Sequence, residues 1–545
     1  MEIVDFSNRT RQLVDDIKGI CTSVGLGGDA NEYKIVTQSF LYKFLNDKFL
    51  FEIGKINPEL KSYADLEKLS DEDYNMLMIK LGAKSAHLKP NHLLEYLFKH
   101  QNDQDFSKLF DNTLNDIAIE NSDVFSVHTA GNTEIRLFEE ELIGRSVSDR
   151  SQHDSTARKI VNVLSETKFD FDQLFSAGFD FFSTLFEYMI KDYNKDGGGK
   201  YAEYYTPHSI AKIMAEILVG DDQPTNVTAY DPAAGSGTLL MNLAHKIGSD
   251  KCTIYSQDIS QKSSNLLRLN LILNNLSHSI DHIVQGNTMT EPQHINQKFD
   301  FIVSNPPFDP TMSRQDHDIL KTKADSQRER FPFGVPNLVK DSKSEDGKKT
   351  YIYLAFLQHI IFSLSKEGRA AVVVPTGFLT AQSGIGKSIR KLLVDKKWLK
   401  GAIVMPSNIF ATTGTNVSIL LLDKTADSDQ IVLMDASKLG KAVKEGGNQR
   451  TILSSDEEQK IIDTFRSKEA VDDLSVVVST EQIKEKNYSF SAGQYFEIKI
   501  EYVDITAEEF DQKMAEYSEN LDELFAKGNE LDDEIKKQMQ SLKHE

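Results

Sequence analysis

The spacing of apolar and polar positions divides the chain into three stretches. From residue 1 to about 165 it follows the period of amphipathic helices. In IVTQSFLYKFLNDKFLFEI (35–53), Ile35, Phe40, Phe44 and Phe49 fall near one face, and Lys43, Asn46, Asp47 and Lys48 fall mostly elsewhere. This stretch, 1–165, reads as a helical packing domain. The polar run VSDRSQHDSTARK (147–159) reads as a loosening before the next unit. Between 168 and 425 short apolar runs alternate with helical ones. NVTAY (226–230), KCTIY (251–255), HIVQ (282–285), FDFIVS (299–304), GRAAVVVP (368–375), GAIVMP (401–406) and NVSILLLD (416–423) predict strands. SSNLLRLNLILNNL (263–276) and AFLQHIIFSLSK (355–366) predict helices between them. Such repetition implies an α/β fold with a mostly parallel, doubly wound sheet, whose ligands sit beyond the carboxyl ends of the strands.

The region 426–545 ends differently. After Thr506 and Glu509, at capping-box spacing, apolar residues recur in steps of four and three at Phe510, Met514, Tyr517, Leu521 and Leu524, then Leu531, Ile535 and Leu542. This seam predicts a helix over 506–545 that either packs on its own domain or meets a partner helix.

Composition narrows the class. A chain of 545 residues suits two or three domains. With only Cys21 and Cys252, neither a disulfide framework nor a cysteine-ligated metal site is expected, which fits the cytoplasm. The start, MEIVDFSNRT, lacks the charge and apolar core of a signal peptide, and YIYLAFLQHIIFSL (351–364) is too short and too interrupted to span a bilayer. The net charge of −21 suits phosphate contacts poorly, so a nucleic acid substrate would need something else to help hold it.

Two turns carry candidate chemistry. NVTAY runs into DPAAGSGTLL (231–240), where Gly235 and Gly237 allow close backbone approach and Asp231 supplies a carboxylate. Asp258 ends the next strand at the distance of a ribose-binding acid. Two carboxylates and a glycine turn suit a cofactor with an amine and a ribose; Leu240, where a third small residue is needed, disfavours NAD. SGIGKS (383–388) mimics part of a phosphate loop, but Ala381 replaces its first glycine. It reads as a loop opening a basic, solvated helix, IRKLLVDKKWLK. The strand FDFIVS stops at Asn305, Pro306, Pro307 and Phe308. Prolines fix this backbone, so the Asn305 amide oxygen and the Pro306 carbonyl can act as preorganised acceptors beside the flat ring of Phe308. That arrangement suits the exocyclic amine of a base flipped from its stack, and equally a simple rigid loop.

YAEYYTP (201–207), DPAAGSG, SQDIS, GNTM (286–289) and SNPPF occur here in an order that resembles the amino-group DNA methyltransferases. The Asn-Pro-Pro-Phe form resembles their adenine-N6 branch. With QSFLYKFLNDKF (38–49), FGVP (333–336), LQHIIFSL (357–364) and GRAAVVVPTGFL (368–379), nearly the whole chain is similar to the modification subunit of type I restriction–modification systems. The resemblance implies a Rossmann-like methyltransferase sheet and S-adenosyl-L-methionine as cofactor. It places Tyr205, Thr206 and Pro207 at the cofactor's methionine end, Asp231, Gly235, Ser236 and Gly237 around its amino acid portion, and Asp258 on its ribose. Asn287 stands where relatives usually carry Asp and would meet the cofactor's adenine amine through its amide oxygen. Asn305, Pro306, Pro307 and Phe308 would receive the target adenine.

No basic groove-reading helix or zinc motif stands out. Residues 309–350 read as a long polar loop with nine basic and eight acidic residues, either covering DNA or simply solvated. The resemblance implies that a separate specificity subunit reads double-stranded DNA, with two modification chains bound to it and a restriction subunit in the full complex. The helix 506–545 is expected to bind that specificity subunit. A protein-glutamine or RNA methyltransferase, and a non-catalytic scaffold on the same fold, are the alternatives.

Overall fold

Continuous apolar, β-branched runs form the middle of one mixed sheet, because strands covered on both faces need no alternation. The computed structural model describes residues 3–541 except 83–84, 130, 132, 167–205, 309–312, 341–347, 411–415, 426–428, 446–447 and 497–505. Its strands are β1 (Val127–Thr129), β2 (Glu134–Ile135), β3 (Val227–Asp231), β4 (Cys252–Asp258), β5 (Ile283–Gln285), β6 (Phe299–Ser304), β7 (Val339–Lys340), β8 (Lys348–Lys349), β9 (Leu364–Pro375), β10 (Leu399–Val404), β11 (Val417–Asp423), β12 (Ile431–Asp435), β13 (Lys441–Glu445), β14 (Asn448–Ile452) and β15 (Ser475–Val478). The sheet order is β15-β12-β10-β11-β9-β6-β3-β4-β5-β1-β2, with β7–β8 and β13–β14 as separate hairpins. β1, β5, β4, β3, β6 and β9 pair in parallel, while β11 lies antiparallel between β9 and β10. Every strand read from the sequence is present.

The sheet also crosses the expected domain limits: β1 and β2 come from within 1–165, and β12 and β15 from beyond 425. Met1–Tyr495 form one compact unit and Phe496–Glu545 a second. Arg268, buried on helix Gln261–Leu273, ties the N-terminal region to the sheet by donating to the carbonyls of Phe125, Ile135 and Arg136.

Four polar stretches differ from their sequence reading. Helix Ala30–Ile56 is buried on nearly all sides, including Lys43, Asn46 and Lys48. Lys43 pairs with Asp47, Asn46 Oδ1 accepts from Leu94 N–H, and Lys48 donates to Asn275 Oδ1 at 3.1 Å. Burial lowers the Lys48 ammonium to about 8. The run 147–159 is not loose, since it opens helix His153–Glu166, whose Asp154 accepts from Ser107. Within 309–350, Ser313 caps helix Arg314–Ser326, and Arg330 is buried. Helix Gly384–Asp395 is not wholly solvated: Arg390 is buried and donates to the carbonyls of Tyr488, Phe378 and Ala381.

In the second unit the expected capping box is formed, with Thr506 N–H donating to Glu509 Oε2 and Glu509 N–H to Thr506 Oγ1. Helix Ala507–Ser541 follows, and its seam from Phe510 to Ile535 is more than half exposed at each apolar position, from 51% at Met514 to 65% at Leu524. Leu542 lies outside the described residues. Among the described residues no helix is long and apolar enough to cross a membrane.

Candidate active site

The parallel strands β3, β4, β5 and β6 end at the same edge, so the chain leaves them there at Asp231, Asp258, Gly286 and Asn305. Strand order turns back at β3, which has β4 on one side and β6 on the other. Sheets of this kind open a ligand crevice at that point.

Two glycines shape the turn after β3. Gly235 (φ 53°) and Gly237 (φ 84°) adopt left-handed backbone that costs glycine little. A β-carbon at Gly237 would lie 2.1 Å from Leu267 Cδ1, so close packing against helix Gln261–Leu273 demands glycine as much as any ligand does. Asp258 holds the turn open: its Oδ2 accepts from Gly235 N–H at 2.9 Å and its Oδ1 from Ser260 N–H at 2.8 Å. Ser236 is buried, and its carbonyl accepts from Asn270 Nδ2 at 2.8 Å.

Asp231 Oδ1 accepts from Ala233 N–H at 2.9 Å and from Ser304 Oγ at 2.7 Å. Burial pushes its carboxyl up to about 7, and burial also raises Asp258. Two acids made reluctant to ionise at a crevice favour a ligand that brings positive charge or hydrogen-bond donors.

The residue after Ser304 is Asn305, whose Nδ2 donates to Thr206 Oγ1 at 3.2 Å. Pro306 is buried, Pro307 exposed and Phe308 half-buried. The Phe308 ring stands edge-on to Tyr353, with centroids 6.2 Å apart at 78°, and Tyr353 stands likewise against Phe378. Pro207 caps helix His208–Val219, which fixes Thr206 just ahead of it. Tyr205 lies outside the described residues.

Two hydrogen bonds, Ser304 to Asp231 and Asn305 to Thr206, thus hold consecutive residues of the β6 end to the end of β3 and to the segment before helix His208–Val219, and a third joins Gly235 to Asp258. Asn287 departs from its expected role: its Oδ1 accepts from Met289 N–H at 3.0 Å and Thr290 N–H at 3.4 Å, so the oxygen expected to meet a ligand amine instead closes its own turn. Thr288 Oγ1 ties this turn to the Pro232 carbonyl at 2.6 Å. The sequence reading missed Ser304, Arg330 and His359. His359 shows in the sequence only as a polar residue within an apolar run, and Arg330, at the end of the polar run DSQRER (325–330), shows nothing that sets it apart.

A doubly wound sheet with a glycine turn at its switch point and an Asn-Pro-Pro-Phe turn at the neighbouring strand end defines the class of Rossmann-like methyltransferases. Residues 177–502 match the N-6 DNA Methylase family, and the chain belongs to that family. It is an enzyme of the DNA-methylating kind. It is 28% identical to the type I restriction enzyme MpnII methylase subunit of Mycoplasma pneumoniae, over 98% of this chain and 95% of that one. It is 24% identical to the HindI methylase subunit of Haemophilus influenzae, over 73% and 88%. Its fold resembles the crystal structure of a type I restriction–modification methyltransferase subunit from Streptococcus thermophilus, with TM-score 0.69 and 21% identity over 90% of this chain and 100% of that one.

Proposed function

We propose that this chain transfers a methyl group from S-adenosyl-L-methionine to the N6 amine of an adenine flipped out of double-stranded DNA. The observation that carries the reading is the 2.7 Å bond from Ser304 Oγ to Asp231 Oδ1, which makes the cofactor carboxylate and the target turn immediate neighbours. Asp231 would hold the cofactor's ammonium, Asp258 its ribose, and the backbone from Gly235 to Gly237 its amino acid portion. Thr206, Pro207 and Tyr205 would flank the methionine end, and Asn287 would shape the turn beneath the base. The buried acids fit such a group, since a bound cation restores the charge that burial disfavours. When bound, the cofactor supplies a methyl on a sulfonium, and the C–S electron pair stays with sulfur as the methyl leaves.

Asn305 prepares the acceptor. With its Nδ2 engaged by Thr206, its Oδ1 would accept one amine N–H, and the Pro306 carbonyl would take the other. Accepting both protons localises the nitrogen lone pair for attack; the surplus proton leaves to water once the N–C bond forms. Phe308, backed by Tyr353, would stack on the flipped base. Positioning then supplies most of the acceleration.

The seam on helix Ala507–Ser541 supports assembly with a specificity subunit, because an apolar stripe on an acidic helix suits a partner helix. Two such chains per specificity subunit, a restriction subunit beyond them, and action in the cytoplasm complete the reading. Modification-sensitive sequencing of DNA from cells expressing the chain with and without the specificity subunit tests it. N6-methyladenine in one bipartite motif, only with the partner, is expected. An assembled complex that leaves DNA unmethylated would refute it.

A further inference from the structure

Arg330 follows the candidate target turn in sequence, yet its guanidinium reaches the opposite wall of the cofactor crevice. It is 1% exposed. Its Nη2 donates to the Thr288 carbonyl at 2.7 Å and its Nη1 to the Met289 carbonyl at 3.1 Å and to Gln327 Oε1 at 3.0 Å. Its Nε donates to His359 Nδ1 at 2.9 Å, and His359 Nε2 lies 3.2 Å from the Tyr230 hydroxyl. Because Arg330 can only donate, Nδ1 must be the unprotonated nitrogen, and the proton sits on Nε2, facing Tyr230. Burial, and then the Arg330 charge, hold His359 well below its usual range, so it stays neutral.

These partners are all neutral. A buried cation held by neutral acceptors is expensive, and an apolar side chain of equal volume would serve the core better. What the guanidinium provides is direction: it fixes the carbonyls of residues 288 and 289, and through His359 it fixes them relative to Tyr230, the neighbour of Asp231. Together with the Thr288–Pro232 bond, it locks the 286–291 turn to the end of β3.

We propose that Arg330 is the positioning residue for the base side of the cofactor crevice, setting the separation between the 286–291 turn and Asp231. This rests on the cofactor assignment above. The test uses the full chain with S-adenosylmethionine as probe: thermal unfolding without cofactor, calorimetric Kd, and kcat at saturating cofactor in the assembled complex. Arg330→Met should weaken binding by roughly 10- to 100-fold, the scale of lost charge-assisted hydrogen bonds, with kcat at saturation within about twofold. Arg330→Lys, which keeps the cation, should recover part of the affinity. Parental Kd in a folded Arg330→Met overturns the proposal. If that variant does not fold, Arg330→Lys decides: an intermediate Kd supports positioning, and a parental Kd overturns it. Failure of the parent chain itself to bind would instead sink the cofactor assignment.

Discussion

The carboxamide of Asn305 is tied to Thr206: Nδ2 donates to Oγ1 at 3.2 Å, so this bond engages the amide nitrogen and not the oxygen that the proposed mechanism uses as acceptor. An amide turned the other way would offer donors to an amine that needs acceptors. Thr206→Val should therefore lower kcat by about 10- to 100-fold, the scale of a misplaced reacting group, while leaving cofactor Kd within a few-fold. Thr206→Ser should retain most activity, and Asn305→Ala should abolish it without unfolding the chain. Single-turnover methylation assays read these differences; full transfer by Thr206→Val would remove the hydroxyl from the mechanism.

Cofactor binding should depend on pH through Asp231, whose carboxyl burial pushes up to about 7. Below that value the free protein holds a proton that an ammonium must displace. Affinity should then fall by about tenfold for each unit of acidification, and level off above neutrality. Burial raises Asp258 in the same direction, which can only steepen the fall. Asp231→Asn should bind weakly and flatten this profile. Calorimetry from pH 5.5 to 8.5 measures both, and a parent Kd that does not change across this range contradicts the assignment.

Gly237 is set by packing as well as by conformation, since an added β-carbon meets Leu267 Cδ1 at 2.1 Å. Gly237→Ala should destabilise by about 2–4 kcal/mol, combining overpacking with left-handed strain. In a Leu267→Ala background the steric share should vanish and the remaining penalty be smaller. Denaturant titrations of the four proteins in this cycle give the coupling; strict additivity would show that Leu267 is not the obstacle.

The exposed seam on the last helix makes a separate prediction. Leu521→Glu with Leu524→Glu should leave the thermal unfolding of residues 1–495 unchanged, because both side chains are more than half exposed. The pair should abolish co-purification with the specificity subunit. Undiminished co-purification would move the contact elsewhere.

Both turns and the seven strands read from the sequence were legible because they are local: apolar runs ending in glycine or proline announce themselves within ten residues. β1 and β2 span only three and two residues, too short for any period to emerge. β12 and β15 are short apolar runs whose strand identity comes from distant partners. Polar residues misled most: the pattern places Lys48 off the apolar face and Arg390 in a solvated helix, although Lys48 meets Asn275 and Arg390 the Tyr488 carbonyl, partners far away in sequence. Gln358 and His359 were visible as interruptions of an apolar run, but nothing linear tells that one meets the backbone at Phe333 and Gly334 and the other Arg330. The Asn287 amide was legible as a residue type, and assigning its oxygen to a ligand hid its turn-forming bonds to Met289 and Thr290 N–H.

The parallel pairing of β1 with β5 joins residues 128 and 284, a separation of 156 positions (284 − 128). At about 5–20 residues per second of synthesis, β1 leaves the ribosome roughly 8–30 seconds before its neighbour exists. During that interval the N-terminal helices can close around their own core, but β1 and the carbonyls that Arg268 will bind have no counterpart. A nascent chain halted between residues 166 and 283 therefore carries the complete N-terminal helices with an open sheet edge at β1, the kind of surface that chaperones cover and that aggregation exploits. The order of synthesis thus makes the first 165 residues a template whose sheet edge waits for β5.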